Sequence, residues 1–212
     1  MAIITVSRMF GSGGSDVAER IARSLGWELL DNAFVDAVAE RLGVPSAEVE
    51  KREERVASLA QRLAESLTLG NPETFAPATA TTLPPSEDRI VEVTTRIIEE
   101  AVARGPAVLV GRGAQAVLAS RDDVIHVFCY APRPALIARV AARMKISAQE
   151  AEKLTDDTNR QREQYVKRHW KRAWRDPSNY HLCLDTEFLG VDGAADVVTR
   201  LARERFGVEI AR

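Results

Sequence analysis

The chain opens with an apolar, β-branched run, a loop of small residues and an amphipathic segment, and this opening restricts the fold more than any other stretch. Residues 2–6 (AIITV) have the composition of a buried strand. Residues 7–15 (SRMFGSGGS) place three glycines within four positions. From Asp16 onward, Val17, Ile21 and Leu25 recur at helical spacing. A buried strand that passes through glycine into a helix N-terminus forms a cradle for an anion. Glycines let backbone N–H groups converge, and the first-turn amides and helix dipole favour negative charge there. The bland alternative is a tight strand–helix turn that binds nothing.

The loop lacks one residue that phosphate chemistry ordinarily uses. A Walker A loop reads G-x-x-x-x-G-K-[ST]. With Ser15 in the terminal place, Gly13 is the second glycine, Gly14 stands in the lysine place and Arg8 in the first glycine place. The lysine that reaches the β- and γ-phosphates is therefore absent. Ser15 keeps a hydroxyl for Mg²⁺, and Gly11, Ser12, Gly13 and Gly14 offer backbone N–H groups to donor phosphates. Arg8, at the entrance of the loop, is either a surface arginine or a replacement for part of the missing charge. Arginine is a permanent cation and a bidentate phosphate binder.

The 212 residues suit one globular domain with an inserted lobe. A formal net charge of −2 gives no global attraction to nucleic acid or membrane. No apolar run is long enough to span a bilayer, and the N-terminus lacks the pattern of a signal peptide. Cys129 and Cys183 fall in predicted core strands without metal-ligand spacing, and read as buried, reduced thiols of a cytoplasmic protein. Charge is uneven: residues 133–175 hold twelve Lys/Arg against five Asp/Glu. That excess is either a solvated helical face or an anion-handling lid.

Strand-like segments occur at residues 2–6, 27–30, 107–110, 124–129 and 180–184. Helical patterns separate them, at 16–25, 32–42, 46–67, 86–104, 133–144, from Ser147 through the basic region, and at 193–206. Ser86 is a candidate N-cap, and Ser147 with Glu150 forms a capping-box pattern. Alternation of strand and helix predicts a parallel sheet covered on both faces. The stretch 70–85, with four prolines, is a linker or a substrate-covering flap.

Several residues stand where ligands bind in such sheets. Asp31 follows the second strand, at the carboxyl edge, and is a helix N-cap, a ligand-binding group, or both. Arg112 lies between Gly111 and Gly113 directly after a buried strand, placed for a ligand or for a salt bridge. Asp157, Arg160 and Arg162 lie in the basic helical region; the arginines are two apart and cannot share one helix face. Tyr165, His169, Trp170 and Trp174 have helical spacing, which favours packing or lid docking over base stacking. The three histidines, His126, His169 and His181, show no metal spacing.

Five segments in order resemble one family. ITVSRMFGSGGS with LGWELLDNAFV, then AVLVGRGA, VIHVFCYAPRPALIARVAARM, DDTNRQREQYVKRHW and NYHLCLDTEFLGVDGAADVV are similar to the landmarks of cytidylate-kinase-like proteins, a divergent branch of the P-loop nucleoside monophosphate kinases. The resemblance implies an α/β fold of the P-loop NTPase type, with a five-stranded parallel sheet and helices on both faces. It further implies a core of residues 1–39, 105–144 and 176–212, a helical acceptor lobe at about 40–104 and a lid at about 145–175. It implies ATP and Mg²⁺ as cofactors, with Arg8, Gly11, Ser12, Gly13, Gly14 and Ser15 at the donor phosphates and Ser15 on the metal. Arg112 would grip the acceptor phosphate and Asp31 would stand near the acceptor. Arg160, oriented by Asp157, would stabilise the transferring group in preference to Arg162.

Three activities fit these residues. One is ATP-dependent phosphorylation of cytidylate or a related small acceptor. The second is nucleotide binding without turnover, which the glycine in the lysine place favours. The third is a kinase for another small metabolite, since such folds host many acceptors. Lys145, at the start of the lid, is a candidate replacement cation by position. The expected partner is a nucleotide or other small molecule rather than nucleic acid or membrane, and a homodimer is compatible with the chain.

Overall fold

The computed structural model of the chain describes residues 1–31, 41 and 87–207. The predicted helices at 32–42 and 46–67, the stretch 70–85 and the Ser86 cap lie outside the described residues, apart from Arg41.

Five strands form one parallel sheet: β1 (Ile3–Arg8), β2 (Glu28–Leu30), β3 (Ala107–Val110), β4 (Val124–Tyr130) and β5 (Leu182–Asp185). Their order is β2-β3-β1-β4-β5. β1 is central, with Ile3 opposite Ala107 on one side and Val124 on the other. Ile3, Ile4 and Val6 are wholly buried, as expected of a strand covered on both faces. Side chains alternate across the sheet. Ile3 and Leu109 face α2 (Glu87–Arg104), which contributes Ile90, Val93, Ile97 and Ala101. Ile4, Val6, Val108 and Val127 face α1 (Gly14–Leu25) and the C-terminal helix, which contribute Val17, Ile21, Ala194 and Val198.

A one-turn helix, α3 (Ala114–Val117), follows β3. β4 leads into α4 (Arg133–Met144), and α5 (Ala148–Trp170) packs back against it around Val140, Ala151 and Leu154. The Ser147–Glu150 capping box is formed in both directions. The last helix, α6 (Thr186–Phe206), starts under an Asp185 cap and carries non-helical dihedrals at Gly190.

The observed elements differ from the expected ones in places with physical reasons. β2 loses Trp27, whose ring packs on Phe206 and whose N–H closes the end of α1 on the Ala22 carbonyl. β5 begins at Leu182 because Tyr180 turns its hydroxyl onto the Trp174 carbonyl, at 2.7 Å. α6 begins seven residues before 193, since the Asp185 carboxylate accepts from the N–H groups of Glu187 and Phe188. Cys129 is buried as expected, but Cys183 is exposed: β5 is an edge strand, and only one side of it is paired. Among the described residues, no helix is long and apolar enough to cross a membrane.

Candidate active site

β1 leads to β2 on one flank of the sheet, and the chain later passes from β3 across β1 to β4. The carboxyl ends of β1, β3 and β4 therefore border the switch point, where open parallel sheets bind ligands. The glycine loop, the Gly111–Gly113 turn and the C-terminal half of α5 all meet at this edge.

The loop is closely held. Gly11 has φ +84°, and a Cβ there would lie 2.7 Å from the Leu136 carbonyl oxygen. The Ser12 carbonyl accepts from the Thr186 hydroxyl at 2.6 Å. Gly13, at φ +75°, precedes α1 and makes no side-chain cap, so the first-turn N–H groups gain no side-chain partner from it. The Ser12 hydroxyl is buried without a hydrogen-bond partner. Orphaned donors around a Cβ-free loop fit the oxygens of a phosphate chain, and the Ser15 hydroxyl in the first turn suits one ligand position of Mg²⁺. Among the described residues, no cluster of His, Cys, Asp or Glu forms a metal site.

Gly14 is enclosed. A Cβ there would fall inside van der Waals contact of Arg8 Cβ, and 3.1 Å from both Arg8 Cγ and Cys129 Cβ. Arg8 continues across the end of β3. Its guanidinium lies against Gly111, and its Nη2 is 3.7 Å from Asp31 in a half-buried ion pair. Asp31 thus meets Arg8; its expected role as a cap concerns a helix outside the described residues.

Arg112 occupies the left-handed region at φ 53°, between Gly111 at +69° and Gly113 at +72°. That conformation costs a non-glycine residue on the order of 1 kcal/mol. It is held by its neighbours: Arg8 lies on Gly111, and the Trp170 ring lies where a Cβ on Gly113 would point.

The two lid arginines part company. Arg160 is 63% exposed and pairs with Asp157 at 2.9 Å on the outer side of α5. Arg162 turns inward: its Nη1 donates to the Arg8 carbonyl at 2.9 Å, and its guanidinium lies 5.7 Å from the Phe10 ring centroid. Asp157 does orient Arg160, but away from the cavity. Lys145 caps α4 and is exposed at the turn into α5.

Arg8, Arg112 and Arg162 line one cavity of about 50 Å³ with Ser7, Gln115, Tyr165 and Tyr180. Tyr165, His169 and Trp170 form a ring cluster, and Trp174 makes a T-shaped pair with Phe128 at 5.3 Å; of these, Tyr165 and Trp174 line the cavity. Burial pushes the Tyr180 hydroxyl up to about 12 and the Cys129 thiol up to about 12, so neither ionises near neutrality.

Sequence reasoning overlooked Asn159, whose Oδ1 accepts from the Phe10 N–H at 2.8 Å. A signal was present. Ala151, Leu154, Thr155, Thr158, Asn159 and Val166 are the buried residues of α5 and repeat at helical spacing; Arg162 falls in the same stripe.

The fold is similar to that of an uncharacterized protein from Eubacterium ventriosum, at TM-score 0.66 and 19% identity over 95% of this chain and 98% of that one. Shikimate kinases from Acinetobacter baumannii and Bacteroides thetaiotaomicron are also similar, each at TM-score 0.50, with 14% and 13% identity. They cover 98% and 97% of this chain and 94% and 98% of their own. At these identities the likeness is one of fold. A comparison with curated proteins finds no match. Residues 3–187 match the sequence profile of the cytidylate kinase-like family. The strand order, the glycine loop and that match agree, and the chain belongs to the cytidylate kinase-like family of P-loop nucleoside monophosphate kinases.

Proposed function

We propose that the protein is an ATP-dependent phosphotransferase whose acceptor is itself a phosphate ester, cytidylate or a related nucleoside monophosphate. The observation that carries this reading is the convergence of Arg8, Arg112 and Arg162, from three separate segments, on one cavity beside the glycine loop. Three permanent cations lining one cavity, with Asp31 beside Arg8, give that cavity a positive potential that favours a multiply charged anion such as a phosphate.

Phosphoryl transfer needs positioning and charge neutralisation more than covalent help. A phosphate oxygen of the acceptor bonds to the terminal phosphorus of ATP while the bond from that phosphorus to the bridging oxygen breaks, and ADP leaves with that oxygen. The N–H groups of Gly11–Gly14 hold the donor phosphates. The Ser15 hydroxyl would hold one position of Mg²⁺, which when bound would supply charge neutralisation at those phosphates. Arg112 grips the acceptor phosphate. Arg162 reaches the transferring group from the lid (about 145–175).

The test is transfer of labelled phosphate from ATP·Mg²⁺ to a panel of nucleoside monophosphates, with a no-acceptor control and a parallel ATP titration. Stimulated transfer to one of them is expected. ATP binding without transfer to any acceptor would favour a regulatory nucleotide-binding protein, the reading that the glycine in the lysine place supports. Transfer to shikimate or a similar hydroxyl acceptor instead would replace the acceptor class.

A further inference from the structure

The Walker pattern begins with glycine and has lysine six residues later. This chain has Arg8 in the first place and Gly14 in the second. The fold brings these two positions into contact. A Cβ on Gly14 would overlap Arg8 Cβ, and Cγ would lie only 3.1 Å away. Both carbons are fixed by backbone, on β1 and at the start of α1, so no change of rotamer separates them. A side chain can stand at position 8 or at position 14, and not at both.

The residue that stands there is cationic and long. Arg8 roots beside the first turn of α1, on the donor side, and its guanidinium reaches Gly111, next to Arg112, on the acceptor side. Glycine at 111 leaves the space that its Nη1 and Cζ fill. Asp31, at 3.7 Å, holds the side chain across the end of β3. A phosphoryl group passing from the loop to the acceptor would travel along this side chain.

We propose that Arg8 and Gly14 are a reciprocal exchange of the Walker pattern's first glycine and its lysine. Arg8 is the cation that meets the phosphoryl group, and Gly14 is glycine because the root of Arg8 fills the space a side chain there requires. The absent lysine is then a relocated charge rather than a lost one. This rests on the phosphotransferase reading above for its ligand, and on steric contact alone for its pairing.

The experiment compares R8G, G14K and R8G/G14K with the unmodified protein, by calorimetric titration with ATP·Mg²⁺ and by ligand-free thermal melting. R8G should weaken ATP·Mg²⁺ binding about ten- to hundredfold, the effect of removing a charged hydrogen-bonding partner. G14K should melt below the unmodified protein and bind no better than R8G. R8G/G14K should melt above G14K and recover most of the affinity. If G14K does not fold, G14A against R8G/G14A reads the same exclusion, with the double variant expected to melt higher. R8G that binds like the unmodified protein, or a double variant that melts no higher than its position-14 parent, overturns the exchange. Failure of the unmodified protein to bind ATP·Mg²⁺ overturns the phosphotransferase reading instead, and the melting comparison still decides whether the two positions exclude each other.

Discussion

Arg160 and Arg162 are two residues apart, about 200° of helix rotation, and that turn separates solvent from cavity. On the proposed function, Arg162→Ala removes a cation from the transferring group and should lower kcat by about a thousandfold or more, the scale of arginine removal in phosphoryl transfer. Arg160→Ala breaks an exposed pair and should change kcat less than about threefold, since such pairs contribute little. Steady-state kinetics of the two variants checks both. The cysteines provide a second contrast. Cys183 is exposed and Cys129 is buried with its thiol pushed up to about 12. One equivalent of a thiol reagent should react with the native protein and two with the unfolded chain, counted by mass spectrometry. The sequence placed both cysteines in strands correctly, but edge or interior depends on strand order, which hydropathy does not encode.

At the scale of elements, the Gly111–Gly113 turn leads from β3 into α3 and packs against the end of α5. The Trp170 ring occupies the space beside Gly113, whose φ is +72°. Gly113→Ala meets both the ring and the unfavourable dihedral, and should destabilise the protein by about 2–4 kcal/mol while displacing the end of α5. Urea unfolding gives the first quantity, and Trp fluorescence at neutral pH reports the second. Much of this level was legible beforehand. β3 and α4 sit at their expected bounds, because Gly105–Pro106, Gly111 and Pro132 punctuate them. β2 and β5 were misplaced at their ends, where Trp27 and Tyr180 leave the sheet for tertiary partners that no local pattern shows. The cavity was legible in Arg112, whose flanking glycines announce close approach, and in Arg8, which stands at the entrance of the glycine loop. Arg162 required the phase of a polar helix, which its buried threonines and Asn159 mark more faintly than leucines would.

For the whole molecule, the central strands carry a pH dependence. His126 on β4 is buried, accepts or donates at the Thr5 hydroxyl across 2.7 Å, and stacks on His181 at 5.2 Å. Burial, then the neighbouring His181 and Arg172, lower its pKa to about 4. The unfolded chain protonates this group near the ordinary histidine value of about 6.5. Between these values the unfolded state binds more protons, so stability falls as pH drops from about 6.5 toward 4, by up to about 3 kcal/mol. Urea midpoints measured across that range should show the slope, and H126Q should flatten it. An unchanged slope in H126Q would assign the dependence to other groups.

The hold of α5 on the glycine loop has a consequence for how this family can vary. Asn159 Oδ1 accepts from the Phe10 N–H, and Arg162 Nη1 donates to the Arg8 carbonyl. Both bonds grip the main chain, which every amino acid presents in the same form. Substitution in the loop leaves this latch blind to the change, with one exception: proline at position 10 has no N–H to offer. The grip therefore depends on the side chains of Asn159 and Arg162, and not on those of Arg8 and Phe10.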